Sequence, residues 1–327
     1  MTTTMARKIE VSSRTIIFTV VFLLSLRFIW ELRDLILGLF LSFILMSALK
    51  PIVNRLSKTR LPRSVAAFIV VFTSLVTIVT LLTILIPPII SETILFLTNL
   101  PVFLQESVPF LSGYLNPEST VQFLPNLTEN ALRVATGFLS NFLFLISVFF
   151  FTFYFLLEEQ FLSSFLNRFL DKKTSRQILV FMHKVEGRMG AWMRGELILM
   201  TVIGVMTYVF LKVLGVPFAL SLAFLAGLME IIPIIGPIVS AVPAFIVAAS
   251  DSFLLGGTTL VVYVVIQQLE NNLIVPYIMN KAVGIHPITT LIALSIGGRF
   301  GGMLGAILAV PLALLIESAV SEYSKQK

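Results

Sequence analysis

Met229-Glu230-Ile231-Ile232-Pro233-Ile234-Ile235-Gly236-Pro237 sets a carboxylate, two prolines and a glycine inside an otherwise apolar run. A charged residue at bilayer depth costs about 2.5–3.5 kcal/mol on insertion scales, and proline removes a backbone donor from the helix that carries it. Within lipid, irregular backbone is tolerated only where protein buries it or a wet cavity faces it. The stretch therefore marks both a break in a membrane segment and the leading candidate site.

The surrounding chain justifies the membrane reading. Of 327 residues, 57% are hydrophobic and 12% charged, and the mean hydropathy is +1.00. Those values belong to a polytopic membrane protein, not to a water-soluble one. Cysteine is absent, which excludes disulfides, thiol catalysis and thiolate metal sites. The net charge of +6 reflects Lys and Arg gathered in loops, the signature of membrane orientation, so no nucleic-acid partner is implied.

The predicted fold is all-α, a polytopic helix bundle of about eight transmembrane segments in which two are broken or re-entrant. Residues 1–63 read as a transmembrane hairpin, turning at 31–34, followed by a basic cytoplasmic loop with Lys50, Arg55, Lys58, Arg60 and Arg63. Arg7, Lys8 and Arg14 precede the first apolar run, but no small-residue cleavage site follows, so that run is an anchor and not a signal peptide. Residues 64–157 supply two transmembrane helices, the first ending at Pro87-Pro88, around an acidic extracytoplasmic region with amphipathic spacing over 93–122. Residues 158–196 carry seven basic residues and two amphipathic patterns, and are cytoplasmic. Residues 197–327 form the transmembrane core.

Two stretches of that core are too long for simple spans. An unbroken helix over 218–249 would reach about 48 Å against a hydrocarbon core of about 30 Å. Residues 288–316 pose the same problem, interrupted by Gly297-Gly298-Arg299-Phe300-Gly301-Gly302. Whether both cross or both fold back, parity returns the C-terminus to the cytoplasmic side with the N-terminus. A pair of interrupted hydrophobic segments points to the binding site of a secondary transporter.

Glu230 is the foremost candidate, because a buried carboxyl that gains and loses a proton can couple proton movement to that of a solute; the alternative is a helix cap near an interface. Pro233, Gly236 and Pro237 free backbone carbonyls that can coordinate cations or polar solutes, or they simply kink the helix for packing. Gln267, Glu270 and Asn271 share a helical face by their spacing and can converge on Glu230, or mark a helix leaving the membrane. Gly297 belongs to a ladder of small residues from Ala293 to Ala313 at every fourth position, a packing signal that permits close helix contact. Arg299, in the same glycine-rich break, can recognise an anion, pair with a carboxylate or face water. His183 and His286 are isolated and make no metal site. No G-x-x-x-x-G-K-[ST], H-E-x-x-H or G-x-S-x-G run occurs, so neither an enzyme nor a cofactor is expected.

Three features resemble the AI-2E (autoinducer-2 exporter) family of bacterial inner-membrane transporters over almost the whole chain. They are Ile232 to Pro237 with Pro243, Gln267 to Asn271 with Pro276, and His286-Pro287 leading into Gly297 to Pro311. The resemblance implies a multi-pass secondary transporter of the plasma membrane, homo-oligomeric, exporting a small polar solute such as autoinducer-2 with proton or sodium coupling. It equally admits exchange of sodium or lithium for protons. Where family members carry small or apolar residues, this chain has Arg299, so transfer of a substrate by analogy is weakest there. A passive pore or oligomeric scaffold is the remaining class, and it needs no protonatable residue at position 230.

Overall fold

The structure, a computed structural model, describes residues 13–107, 142–158, 161–279 and 287–325, and these form helices joined by short turns. Residues 1–12, 108–141, 159–160, 280–286 with Lys281 and His286, and 326–327 lie outside the described residues.

The helices are α1 (Ser13–Glu31), α2 (Arg33–Ser57), α3 (Arg63–Ser107), α4 (Phe142–Leu157), α5 (Phe161–Phe169) and α6 (Lys172–Val213). Then come α7 (Ala219–Met229), α8 (Ile235–Asp251) and α9 (Phe253–Leu269), followed by a π-helical turn (Glu270–Ile274), α10 (Val275–Met279), α11 (Pro287–Ile307) and α12 (Ala309–Lys325). Among the described residues, five stretches are long and apolar enough to cross a membrane: α2, 63–84 of α3, α6, 253–279 and 288–307; α4 and α5 make a sixth if taken as one bent span. Large apolar side chains stay exposed along most of them, as a lipid-facing surface requires.

Two expectations are corrected. The hairpin predicted over residues 31–34 does not form: Leu32 N–H donates to the Phe28 carbonyl at 3.0 Å and Ile36 N–H to the Leu32 carbonyl at 2.9 Å, so helical bonding carries α1 into α2. The connecting Glu31-Leu32-Arg33-Asp34 holds neither glycine nor proline, and Arg27 pairs with Glu31 one turn later at 3.2 Å, which favours continuing the helix. Likewise α3 does not stop at Pro87-Pro88 but runs to Ser107, because each proline deletes one ladder bond without forcing a turn.

Three apolar clusters hold the helices. Met46 and Val53 of α2 meet Ala66, Ala67 and Val71 of α3 and Phe149 and Leu156 of α4. The α2–α4 contact also carries buried polar stitching: Ser42 Oγ donates to the Val148 carbonyl at 3.0 Å, and Thr152 Oγ1 faces the Ser42 carbonyl at 3.3 Å. A second cluster joins Ile44 and Ala48 of α2, Val185, Met189 and Trp192 of α6, and Leu308 and Leu314 at the α12 end. The third unites Leu211 of α6, Leu222 and Ala226 of α7, Ala244 and Ala248 of α8, and Tyr263 of α9.

Helix α6 spans 42 residues, about 63 Å, joining the basic segment to the following apolar span without interruption. Asp171 caps its start, accepting from the Lys173 and Thr174 amides at 3.1 and 3.0 Å. Those hydrogen bonds hold the exposed carboxyl below its usual range, the Thr174 amide contributing most. At the far end Val216 N–H reaches the Leu211 carbonyl and Gly215 N–H the Lys212 carbonyl, with Gly215 at φ 75°. This is the Schellman arrangement that stops a helix, with Leu211 and Val216 in apolar contact.

Ion pairs collect the basic segments at one end. Lys50 of α2 meets Glu186 at 2.6 Å, and Arg188 and Lys184 of α6 meet Glu317 and Glu322 of α12 at 2.7 and 3.3 Å. The end of α2, the first half of α6 and the end of α12 therefore share one side of the molecule.

Both overlong stretches fold back. In the second, Gly302 at φ 58°, ψ −140° occupies a conformation open essentially to glycine, inside what otherwise passes for one helix. A Cβ on Gly297 would run into the carbonyl of Gly305, and one on Gly305 into the carbonyl of Gly297. A straight helix would hold these positions about 12 Å apart. Hence 288–307 meets the length requirement of a span but is no straight crossing. The ladder of small residues serves here to let two arms of a hairpin touch.

Candidate functional site

The first hairpin builds the site. Helix α7 runs antiparallel to α6, with Gly227 against the Met200 carbonyl and Gly204. It ends at Met229, with Glu230 as its C-cap. The chain then turns through Pro233-Ile234, and α8 returns from Ile235. Ile234 sits at φ 72°, ψ −51°, and Ile235 N–H donates to the Pro233 carbonyl at 2.8 Å. That is a γ-turn of the rare, strained kind, here on a β-branched residue. Gly236 must lack a side chain, because a Cβ would run into the Met229 carbonyl. The prolines and glycine of the opening stretch thus make a tight tip, and the tip projects Glu230 inward, where it is 2% exposed.

Helix α9 brings the partner. It leaves the one-residue turn at Ser252, packs against α8 through Gly256 and Ala249, and delivers Glu270 at the start of the π-helical turn, 5% exposed. The Glu230 and Glu270 carboxyl groups lie within reach of each other. Gln267 Nε2 donates to Glu270 Oε2 at 3.1 Å. Two carboxylates are acceptors only, so a direct bond between them needs a proton held in common. Asn271 does not join: it is exposed on the π-helical turn, where the widened coil departs from the 3.6-residue spacing that would align it with Gln267.

Glu196 of α6 is the residue that sequence reasoning missed. It is 2% exposed, and its carboxyl lies in electrostatic range of both Glu230 and Glu270. Glu230 Oε2 and Glu196 Oε1 have no hydrogen-bond partner in the protein. The sequence places Glu196 at the close of a charged, solvated segment; only the continuity of α6 turns it inward. The signal available was its position one turn before an apolar span, which is weak. Among the described residues no three acidic or histidine side chains stand close enough to ligate one metal ion, so the arrangement is a close pair with a third carboxyl nearby.

Depth follows from helix register. Glu196 lies about 17 residues before the Val213 end of α6, about 26 Å along it. The site therefore sits toward the basic end of the apolar layer. Gly297 and Arg299 stand elsewhere, on the second hairpin, with Gly297 at its arm contact and Arg299 exposed.

The AI-2E family transporter description matches residues 16–325. The chain belongs to the AI-2E family. Among its relatives, YueF of Bacillus subtilis is 31% identical over 205 residues, 62% of this chain and 56% of that protein. YrrI of the same organism is 26% identical over 208 residues, covering 64% and 59%. The chain thus spans little more than half the length of these two. YhhT of Escherichia coli K12 is 28% identical over 299 residues, covering 85% of this chain and 82% of its own. The names of these relatives provisionally assign them to transport and state no substrate. An AI-2E chain with this surface and these helices is a multi-pass membrane protein of a transport family.

Proposed function

We propose that this protein is a secondary-active transporter of the bacterial plasma membrane that moves a small polar solute, autoinducer-2 being one such solute, in exchange for a proton bound between Glu230 and Glu270. The observation that carries this reading is a pair of buried carboxyl groups, Glu230 and Glu270, within reach of each other at the tip of a broken, strained hairpin. A shared proton there can leave only if something else compensates two facing buried carboxylates. That requirement is a coupling. The tip carbonyls around Pro233 and the unpartnered Glu230 Oε2 offer such compensation to a polar solute or a cation.

Sodium or lithium replacing the proton gives the second reading, a monovalent cation/proton antiporter. It is favoured by the free carboxyl oxygens of Glu230 and Glu196, which suit a small cation better than a sugar ring. Gathering of the basic segments at one end supports placing that end, and the C-terminal end of α12 with it, in the cytoplasm; the uninterrupted α1–α2 ladder carries the start of α1 away from that end, against the cytoplasmic N-terminus expected from the sequence. The unsheathed apolar surface of α1 supports a homo-oligomer.

Purified protein in liposomes tests the proposal by solute flux and sodium-driven proton movement, for wild type and Glu230→Gln. Coupled flux should vanish in the variant. Coupled flux unchanged by the substitution would refute the role of Glu230, and solute flux independent of any ion gradient would establish a passive pore.

A further inference from the structure

Helix α9 carries more buried polarity than the carboxyl pair uses. Thr259 is fully buried and Tyr263 is 8% exposed. With Gln267 and Glu270 they fall at spacings of four, four and three, which keeps all four on one helical face. Among the described residues neither the Thr259 hydroxyl nor the Tyr263 phenol has a hydrogen-bond partner, and on α6 the buried Thr207 hydroxyl has none either.

The two threonines are unlike other hydroxyls in these helices. Thr83, Thr152, Thr201 and Ser295 each donate to a carbonyl one turn back, at 2.8–2.9 Å. That local bond is the ordinary way for a helical hydroxyl to be satisfied in an apolar setting. Thr207 and Thr259 forgo it, though an unsatisfied buried hydroxyl costs about 1–3 kcal/mol. Tyr263 belongs to an apolar cluster with Leu211, Leu222 and Ala226, whose side chains offer its hydroxyl no acceptor.

We propose that Thr207, Thr259 and Tyr263 line a narrow hydrated pathway running from the end of the bundle opposite the basic segments to the Glu230–Glu270 pair. Thr259 lies about two turns from the Ser252 turn at that end, and Glu270 lies about 16 Å deeper along the helix. Water bridging these groups satisfies each hydroxyl, since buried waters bind where two to four polar partners are within reach. It also gives the shared proton a route to one side of the membrane, with Gln267 fixing Glu270 at the inner end. The pathway rests on the coupling role proposed for that pair, but its wetness can be read separately.

The absence of native cysteine makes the test direct. Thr259→Cys and Thr207→Cys, both close to isosteric, are introduced singly into the full-length protein in sealed vesicles. Each is exposed from the face opposite the basic segments to a membrane-impermeant cationic methanethiosulfonate. Ala67→Cys, fully buried in the separate cluster between α2, α3 and α4, is the dry control. The Thr259 and Thr207 variants should react at least about tenfold faster than the control, because only thiols in contact with water ionise readily. Reaction of both as slow as at position 67 would overturn the pathway. Fast labelling together with coupled flux unaffected by Glu230→Gln would leave the pathway standing and remove the carboxyl pair's role; slow labelling with flux lost in that variant would do the reverse.

Discussion

A double-mutant cycle across Glu230 and Glu270 measures whether the two carboxyl groups form one unit. Both are nearly inaccessible to solvent, at 2% and 5%, they lie within reach of each other, and among the described residues Gln267 donates to Glu270. Glu230→Leu removes a partner and leaves Glu270 with one donor, a loss of about 1–3 kcal/mol for an unsatisfied buried group. Glu270→Leu does the same to Glu230, which then has neither bond nor donor. The double replacement leaves no carboxyl unmatched at the tip, and exchanging a buried polar pair for apolar residues of similar volume is often neutral or stabilising. The singles should therefore sum to about 2–6 kcal/mol of destabilisation and the double should fall well below the sum, a coupling of about 2–4 kcal/mol. Glu230→Gln provides the isosteric reference: its amide can donate to Glu270, so stability should change by no more than about 1 kcal/mol while the exchangeable proton is gone. Chemical denaturation in detergent micelles supplies the four free energies. Additivity within about 0.5 kcal/mol would mean the groups do not touch, and the site as described would be wrong.

The fold-back at Gly302 predicts opposite outcomes at adjacent glycines. Gly297→Ala collides with the Gly305 carbonyl and should destabilise by about 1–3 kcal/mol, whereas Gly298→Ala meets nothing within 4 Å and should be neutral or stabilising by up to about 1 kcal/mol through helix propensity; equal effects in thermal unfolding would restore a straight span. At the α6 start, the cap from Asp171 holds the carboxyl below its ordinary value of 3.8, so its contribution is complete above that value and is lost as pH falls through the lowered one. Hydrogen exchange at the Lys173 and Thr174 amides should be faster in Asp171→Ala than in wild type at neutral pH, and the two proteins should converge in acid; a difference that persists unchanged below the carboxyl's titration would refute the cap.

The helical, membrane-embedded character and the two interrupted segments were legible in the sequence because each depends on local composition. Lipid admits few backbone conformations, so a proline pair with glycine in an apolar run can mean little besides a break. The direction after the break was not legible. Fold-back depends on whether the arms can touch, and at Gly297 and Gly305 that is a property of two backbones eight residues apart, visible only once both are placed. The turn over residues 31–34 failed for a related reason. A short charged stretch between apolar runs suggested an exit from the membrane, yet its residues are sound helix formers and nothing in them stops the α1–α2 ladder.

The site divides along the same line. Glu230 announces itself, since a carboxylate beside Pro233 in apolar sequence has no bland surroundings to vanish into. Glu270 and Gln267 follow from spacing on one helix, but Asn271 departs from it because the coil widens to a π-turn at that residue. Glu196 shows the harder limit. It closes a segment containing Lys184, Arg188 and Arg194, where a further charge reads as solvated, and its burial depends on the phase of a 42-residue helix that composition divides into two parts. Continuity of α6 carries the cytoplasmic rotation into the membrane half, so the register set where Arg188 grips Glu317 also fixes where Glu196 points. Any movement of α12 against α6 that turned α6 about its axis would swing Glu196 relative to the Glu230–Glu270 pair, which ties the state of the buried carboxyl groups to ion pairs about 12 Å further along the same helix.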